Sequence, residues 1–418
     1  MKVFKFGGAS VNSADAVRNM AEIVKNHALE PLVIVISAMG KTTNNLEMLV
    51  QGNKNYSPEN IEIIFNKIKE YHYNITNELF GNNYNDVYTK INNLFNLLYE
   101  QINQPSFDYN YNYDKTVSIG ELLSTTIISE WLNYKGIRNR WVDVRNIIKT
   151  DTTYREGKVD WEITQSYANK ILLNQPDNIV ITQGFIASSL QGTTTTLGRE
   201  GSDYSAAILA YCLDAEAMVI WKDVPGFLNA DPKFFSNTTK INTIPYNEAI
   251  ELAYYGASII HPKTVKPLQN KGIPLYVKSF VTPNAEGSVI NNASHINPET
   301  PLYIFKNNQI LLSIMPKDFS FIAEENLQYI FGEFAKIGVK VNMIQNSALS
   351  FSVCVDENPF IFDKLIPSLQ KYYCVRYNQN LQLVTIRYYT PEIINEIVGE
   401  RKILLEQHSR VTAQILIN

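Results

Sequence analysis

Near the amino terminus the hydrophobic pattern changes period twice. Val3 to Phe6 predicts a short strand and Gly7-Gly8 a turn; Val17, Met20, Ala21 and Val24 then recur at helical spacing behind the cap candidates Asn12 and Ser13. Leu32 to Ile36 is an unbroken apolar run after Pro31, the pattern of a strand covered on both faces in a parallel sheet. Helical spacing returns at Ile61, Ile64, Phe65, Ile68, Tyr71 and Ile75, and again at Val87, Ile91, Leu94 and Leu98 after Gly81-Asn82-Asn83. These are two helices of an insertion over about 52–115. The Asn- and Tyr-rich stretch from Asn103 to Asp114 is expected to be an exposed loop before a helix that starts near Ser118 and stops at Gly136. Strands are predicted at 140–144, 179–182, 217–221 and 274–278, so strand and helix alternate to about residue 290.

Residues 291–301, with Asn, Ser, His and two prolines, read as a linker. A different texture follows. A strand at 309–315, a helix at 324–337, a strand pair at 339–344 and 349–355 and a helix at 359–371 make a βαββα module over about 309–378. A second such module, over 379–418, starts with a strand at 381–388 and ends with the chain, open to completion by 302–308. The expected division is therefore an α/β domain over 1–290 and an α+β region over 302–418.

Charge narrows the partners. Against 41 acidic residues stand 37 basic ones, a formal net charge of -4, so nucleic acid has no electrostatic support as a partner and a small molecule is the better expectation. The cysteines Cys212, Cys354 and Cys374 are odd in number and far apart, without metal-ligand spacing, and read as buried free thiols. The amino terminus has no apolar signal core and the chain no membrane-length apolar run, which makes the cytoplasm the expected compartment.

Four segments carry candidate chemistry: Lys5 to Ser10, Ser37 to Thr43, Thr193 to Ser205, and Lys222 to Gly226. Each follows a predicted strand or opens a helix, and in open α/β sheets the ligand crevice lies at the carboxyl ends of the strands. Glycines admit backbone N–H groups to phosphate oxygens, and Lys5 supplies a full charge. Neither a Walker A pattern nor a Gly-x-Gly-x-x-Gly fingerprint is present, so a nucleotide site would be of another kind. In Thr193 to Ser205, a helix cap at Ser202 or Asp203 accounts for part of the composition but not for Arg199, whose fork suits a carboxylate. Asp203 could orient a phosphate-binding lysine or hold the metal ion that accompanies a nucleotide.

In sequence these segments resemble the aspartate kinases of the amino acid kinase family. Lys5 to Val11 is similar to that family's Lys-Phe-Gly-Gly-Thr-Ser-Val, with Ala9 for threonine, and Gly198 to Ser205 to its Gly-Arg-Gly-Gly-Ser-Asp-Tyr segment, with Glu200 for a glycine. Asp223-Val224-Pro225-Gly226, Asp231-Pro232, Gly256-Ala257 and His261-Pro262 continue the pattern in order, and the region after the linker resembles ACT modules. The resemblance implies an αβα sandwich with a largely parallel sheet followed by ACT-like modules. It implies ATP-dependent phosphorylation of the L-aspartate β-carboxylate, the first step towards lysine, threonine and methionine, with Mg2+ accompanying ATP. It places Lys5, Gly7 and Gly8 on the phosphates, Ser10 near the transferred group, and Ser37, Thr43, Glu121, Arg199 and Ser202 around aspartate, with Glu121 facing the ammonium and Arg199 the α-carboxylate. Asp223 to Gly226 and Asp231 would bound the nucleotide, with Mg2+ near Asp203.

Departures from the pattern count too. Relatives often carry a nucleotide-contacting lysine where this chain has Ser258; Lys222 and Lys263 are the candidate replacements. His261 reads as structural, because an ionised carboxylate acceptor needs no general base. The rival readings are a glutamate-directed carboxylate kinase and a noncatalytic amino-acid sensor; the joint presence of Lys5, Glu121, Arg199 and Asp203 argues against the second. The chain has no room for a fused dehydrogenase domain, so a monofunctional enzyme is expected. A homodimer joined after about residue 300 is expected, with weak or absent lysine feedback, since Val341 to Ala348 carries no carboxylate.

Overall fold

The protein is described by a computed structural model covering residues 1–418 except 56–57, 82–83, 174–176, 236, 258–259 and 319, with backbone alone at 53–55. The chain forms two compact units. The first comprises Met1–Phe227, Lys240–Ile250 and Ile259–Pro298; the second comprises Leu228–Thr239, Glu251–Ser258 and Glu299–Asn418.

In the first unit an eight-stranded sheet runs in the order Thr243–Pro245, Ser288–Asn291, Leu275–Ser279, Ala217–Lys222, Lys2–Phe6, Leu32–Ile36, Ile179–Gln183, Arg140–Val142. All neighbours are parallel except Leu275–Ser279 against Ser288–Asn291. The unbroken apolar run Leu32–Ile36 is buried at every position, as a strand covered on both faces must be. Lys2–Phe6 lies between Leu32–Ile36 and Ala217–Lys222 with Lys5 level with Val35 and Ile220, which sets Lys5 at the carboxyl edge of the sheet's middle.

Helix α1 (Ala14–Lys25) starts where expected, capped by Ser13 Oγ accepting from the Ala16 N–H at 3.1 Å. Helices α2 (Thr42–Asn55), α3 (Pro58–Phe80) and α4 (Asn85–Asn103) lead into α5 (Tyr109–Tyr134). The expected loop from Asn103 to Asp114 is therefore corrected, since α5 starts nine residues before Ser118. Asp108 caps it, accepting from the N–H groups of Asn110 (2.8 Å) and Tyr111 (3.2 Å), while Tyr113 and Asp114 are buried. Tertiary burial overrides a composition that looks like loop. Helix α6 (Trp161–Leu172) and helix α7 (Gly201–Cys212) complete the layers that concern the site.

The second unit holds a six-stranded sheet, Val341–Asn346, Phe351–Asp356, Leu302–Pro316, Tyr373–Arg387, Thr412–Ile417, Ile403–His408, antiparallel throughout. The strand Leu302–Pro316 serves both repeats: 302–306 pair with 383–387, and 309–314 pair with 351–356. Strand alternation divides its side chains, with Ile310, Leu312 and Ile314 packed against Ile330 and Phe334, and Leu311 on the other face with Cys354 and Leu416. Cys212 and Cys354 are buried free thiols, but Cys374 is exposed, correcting the sequence expectation. It neighbours the core residue Tyr373 in a strand, and successive strand residues face opposite ways. No described helix is long and apolar enough to cross a membrane.

Candidate active site

A cavity of about 840 Å³ opens at the carboxyl ends of the central strands, wholly within the first unit. Lys5 and Gly8 reach it from Lys2–Phe6 and the turn after it, Ser37 and Gly40 from the turn after Leu32–Ile36, and Lys222 from the end of Ala217–Lys222. Thr43, Asn44 and Glu47 come from the start of α2, Tyr113 and Glu121 from α5, and Gly198 to Asp203 from the start of α7. Only glycine fits at position 8, where a Cβ would stand 2.8 Å from the Ala38 oxygen and 2.9 Å from that of Gly40.

Two features dominate the electrostatics. The Lys5 ammonium lies 2.6 Å from Asp203 Oδ1, both side chains nearly buried. Of the two roles open to Asp203, this geometry favours orienting the lysine. Glu121 is 2% exposed; its Oε1 accepts a long 3.4 Å bond from the Ala38 N–H and its Oε2 has no hydrogen-bond partner. Burial pushes its carboxyl up to about 8, because water no longer stabilises the charge. Ser124 Oγ, donating to the Ser37 oxygen at 2.7 Å, holds α5 against the turn that carries Ser37 and Ala38.

The helix start differs from expectation. Neither Ser202 nor Asp203 caps α7; Glu200 stands at the cap with left-handed φ 53 and no side-chain cap bond, because the N–H groups of Asp203 and Tyr204 already reach the Glu200 oxygen. Ser202 and Asp203 occupy the first turn and face other duties.

The structure gathers Lys5, Gly8, Ser37, Thr43, Glu121, Arg199, Ser202, Asp203 and Lys222 around the cavity. Ser10 is not on its wall: its buried hydroxyl donates to the Trp221 oxygen at 3.0 Å and ties the turn to the neighbouring strand. Gly7, Asp223, Gly226 and Lys263 are not on the wall either. Gly226 closes a turn at φ 145, where a Cβ would stand 2.3 Å from Ser288 Oγ. Asp231 belongs to the second unit, where its Oδ1 accepts from the Lys233 N–H at 2.9 Å. Ser258 lies outside the described residues. Of its two candidate replacements, Lys222 lines the cavity and Lys263 is exposed at the head of the helix Pro262–Lys271. His261 caps that helix by accepting from the Lys263 N–H at 3.2 Å, in keeping with a structural role.

The amino acid kinase family model matches residues 1–279. The lysine-sensitive aspartokinase 3 of E. coli is 33% identical over 85% of this chain and 78% of its own length. The chain belongs to the amino acid kinase family, among its aspartokinases. Chloroplastic aspartokinase 1 of Arabidopsis thaliana is 31% identical, with 87% of this chain matched to 65% of that protein. The crystal structure of E. coli aspartokinase III in complex with aspartate and ADP, an R-state, superposes with a TM-score of 0.84 at 28% identity, covering 100% of this chain and 96% of that one. Its T-state complex with lysine and aspartate gives 0.83 at 29% identity, covering 100% and 95%.

Glu47, Tyr113, Arg155, Glu156 and Phe185 also line the cavity, and sequence reading missed them. Glu47 sits on α2 outside any motif, and Tyr113 lies in the stretch that reads as an exposed loop. Arg155 and Phe185 have positive φ, 70 and 68, without being glycine, and no motif announces that.

Proposed function

We propose that this chain transfers the γ-phosphoryl group of MgATP to the β-carboxylate of L-aspartate, giving β-aspartyl phosphate and ADP. The observation that carries the reading is Glu121: a buried carboxylate oxygen without a partner, on the wall that also holds Arg199 and the Lys5–Asp203 pair. An α-ammonium on Glu121 and an α-carboxylate on Arg199 would fix the amino-acid backbone. The side-chain carboxylate is then left for the phosphate end of the cavity, among the hydroxyls of Ser37, Thr43 and Ser202. Lys5, held by Asp203, and the backbone N–H group at Gly8 would take the phosphate charge.

The acceptor is ionised at neutral pH, so no base has to remove a proton. An acceptor oxygen attacks the γ-phosphorus as the bond to the β–γ bridging oxygen breaks, and catalysis rests on alignment and charge stabilisation. Mg2+ would enter with the ATP phosphates as part of the substrate, near Asp203. Lys222 would supply the cationic nucleotide contact that relatives place at the position of Ser258.

In the second unit, strand edges at Val341–Asn346 and Ile403–His408 leave backbone groups for a second copy, and Ile344 and Ile403 are exposed on them; this supports a homodimer through residues after about 300. The same region would hold any amino-acid effector, and the enzyme would work in the cytoplasm. A coupled assay of ADP release with L-aspartate, L-glutamate and no acceptor tests the reaction: aspartate-dependent release is expected, and equal release in all three arms refutes it.

A further inference from the structure

Arg155 stands where any residue other than glycine is strained. Its backbone has φ 70, a region that favours glycine, yet it carries the longest cationic side chain and lines the catalytic cavity. The backbone there needs no help from that side chain. The carboxylate of buried Asp114 accepts the Arg155 N–H with both oxygens, at 3.1 and 2.9 Å, and also takes the N–H and hydroxyl of Thr196 at 2.9 and 2.7 Å. Loop and strand are thus pinned to α5 whatever residue 155 is. Beyond the backbone, the guanidinium centre lies 4.3 Å over the Tyr113 ring and one nitrogen 3.7 Å from Glu47 Oε1. Tyr113 and Glu47 are both on the cavity wall, so the cation is parked at the cavity by an aromatic face and a loose ion pair. At 3.7 Å the Glu47 contact is too long for a hydrogen-bonded fork and is readily exchanged for a better anion.

The charges of the acceptor set the requirement. A dicarboxylic amino acid brings one ammonium and two carboxylates; with Glu121 and Arg199 assigned to it, Lys5 paired with Asp203 and Lys222 assigned to the nucleotide, Arg155 is the further cation on the wall for the second carboxylate. We infer that Arg155 binds the second carboxylate of the acceptor and so makes the site selective for a dicarboxylic amino acid. This rests on the acceptor reading given above. Arg155 is then a substrate-binding residue, Tyr113 and Glu47 hold it ready, and Asp114 positions its backbone.

Arg155→Gly is the informative substitution, because glycine accepts φ 70 and the fold should not suffer. Wild type, Arg155→Gly and Arg155→Lys are compared by melting temperature, by kcat and KM for L-aspartate and for ATP, and by calorimetric binding of L-aspartate. Expected for Arg155→Gly are an unchanged or higher melting temperature, an aspartate KM and Kd raised at least ~10-fold, and an ATP KM within about twofold of wild type, with Arg155→Lys in between. An aspartate KM and Kd within about twofold of wild type overturns the inference. So does a parallel rise in both KM values with a lowered melting temperature, the mark of a structural role. Wild-type ADP release that ignores aspartate would instead remove the acceptor reading itself, and the inference with it.

Discussion

Glu121→Gln tests the heart of the site, because one substitution should move stability and binding in opposite directions. The wild-type carboxyl is raised from 4.5 to about 8 by burial. Each unit of displacement is worth about 1.4 kcal/mol, so keeping Glu121 charged in the empty site costs on the order of 5 kcal/mol at most. The sign follows from proton counting. Between pH 4.5 and about 8 the folded protein binds more protons at this group than the unfolded chain, so its contribution makes the substrate-free enzyme less stable as pH rises through that window. Glutamine keeps the shape and removes the titration. Glu121→Gln should therefore be at least as stable as wild type at pH 8, with a flatter profile of melting temperature against pH.

Binding should move the other way. An ammonium beside the carboxylate favours its ionised form, so aspartate binding should expel the proton that Glu121 carries in the empty site. At pH 7, a group with a pKa of about 8 is mostly protonated, and binding should release the larger part of one proton. Calorimetry in buffers of different ionisation enthalpy reads that number directly. Loss of a charge-assisted hydrogen bond worth ~1.5–3 kcal/mol should weaken aspartate binding about 10- to 150-fold in Glu121→Gln, with no proton release. Wild-type binding without proton uptake or release at pH 7, or a variant that binds aspartate within about threefold of wild type, would show that Glu121 does not face the ammonium.

Three further outcomes follow from the same geometry. Arg199→Lys should lower kcat/KM for aspartate about 30- to 1000-fold while the ATP KM stays within about threefold, because a point charge cannot reproduce a planar fork; an unchanged value takes Arg199 out of the site. Asp203→Asn frees the Lys5 ammonium from its 2.6 Å partner and should depress kcat more than either KM, so near-normal turnover refutes the positioning role. Lysine should inhibit weakly or not at all: Val341 to Ala348 carries no carboxylate, and the Asn342 amide is already committed to Lys306 (2.8 Å), Gln309 (2.8 Å) and Asp356 (2.7 Å). A lysine titration of initial rates with threonine and methionine in parallel decides this, and strong inhibition by submillimolar lysine contradicts it.

The site was legible in the sequence where its residues sit in short colinear segments. Lys5 beside two glycines, Arg199 to Asp203 at a helix start, and Glu121 in Ser118 to Glu121 all line the cavity. What stayed hidden depends on contacts between distant segments. Ser10 reads as a phosphate-loop hydroxyl until the neighbouring strand presents the Trp221 oxygen to it. The first turns of α5 read as polar loop until a strand more than 80 residues away presents the Thr196 N–H and hydroxyl to buried Asp114, and Arg155 covers the Tyr113 ring. The membership of 228–239 and 251–258 in the second unit is likewise invisible, since nothing in those short stretches marks which core they join.

Backbone strain gives the remaining signal. Among the described residues, seven that are not glycine have positive φ, and three of these, Arg155, Phe185 and Glu200, line the catalytic cavity. Such conformations cost of order 1 kcal/mol or more each and persist where the surroundings impose them. Glu200 stands where the aspartate kinase pattern has glycine, so it meets that cost at a place where a cheaper residue fits. At 155 and 200 the strained backbone carries charged side chains, and both line one cavity.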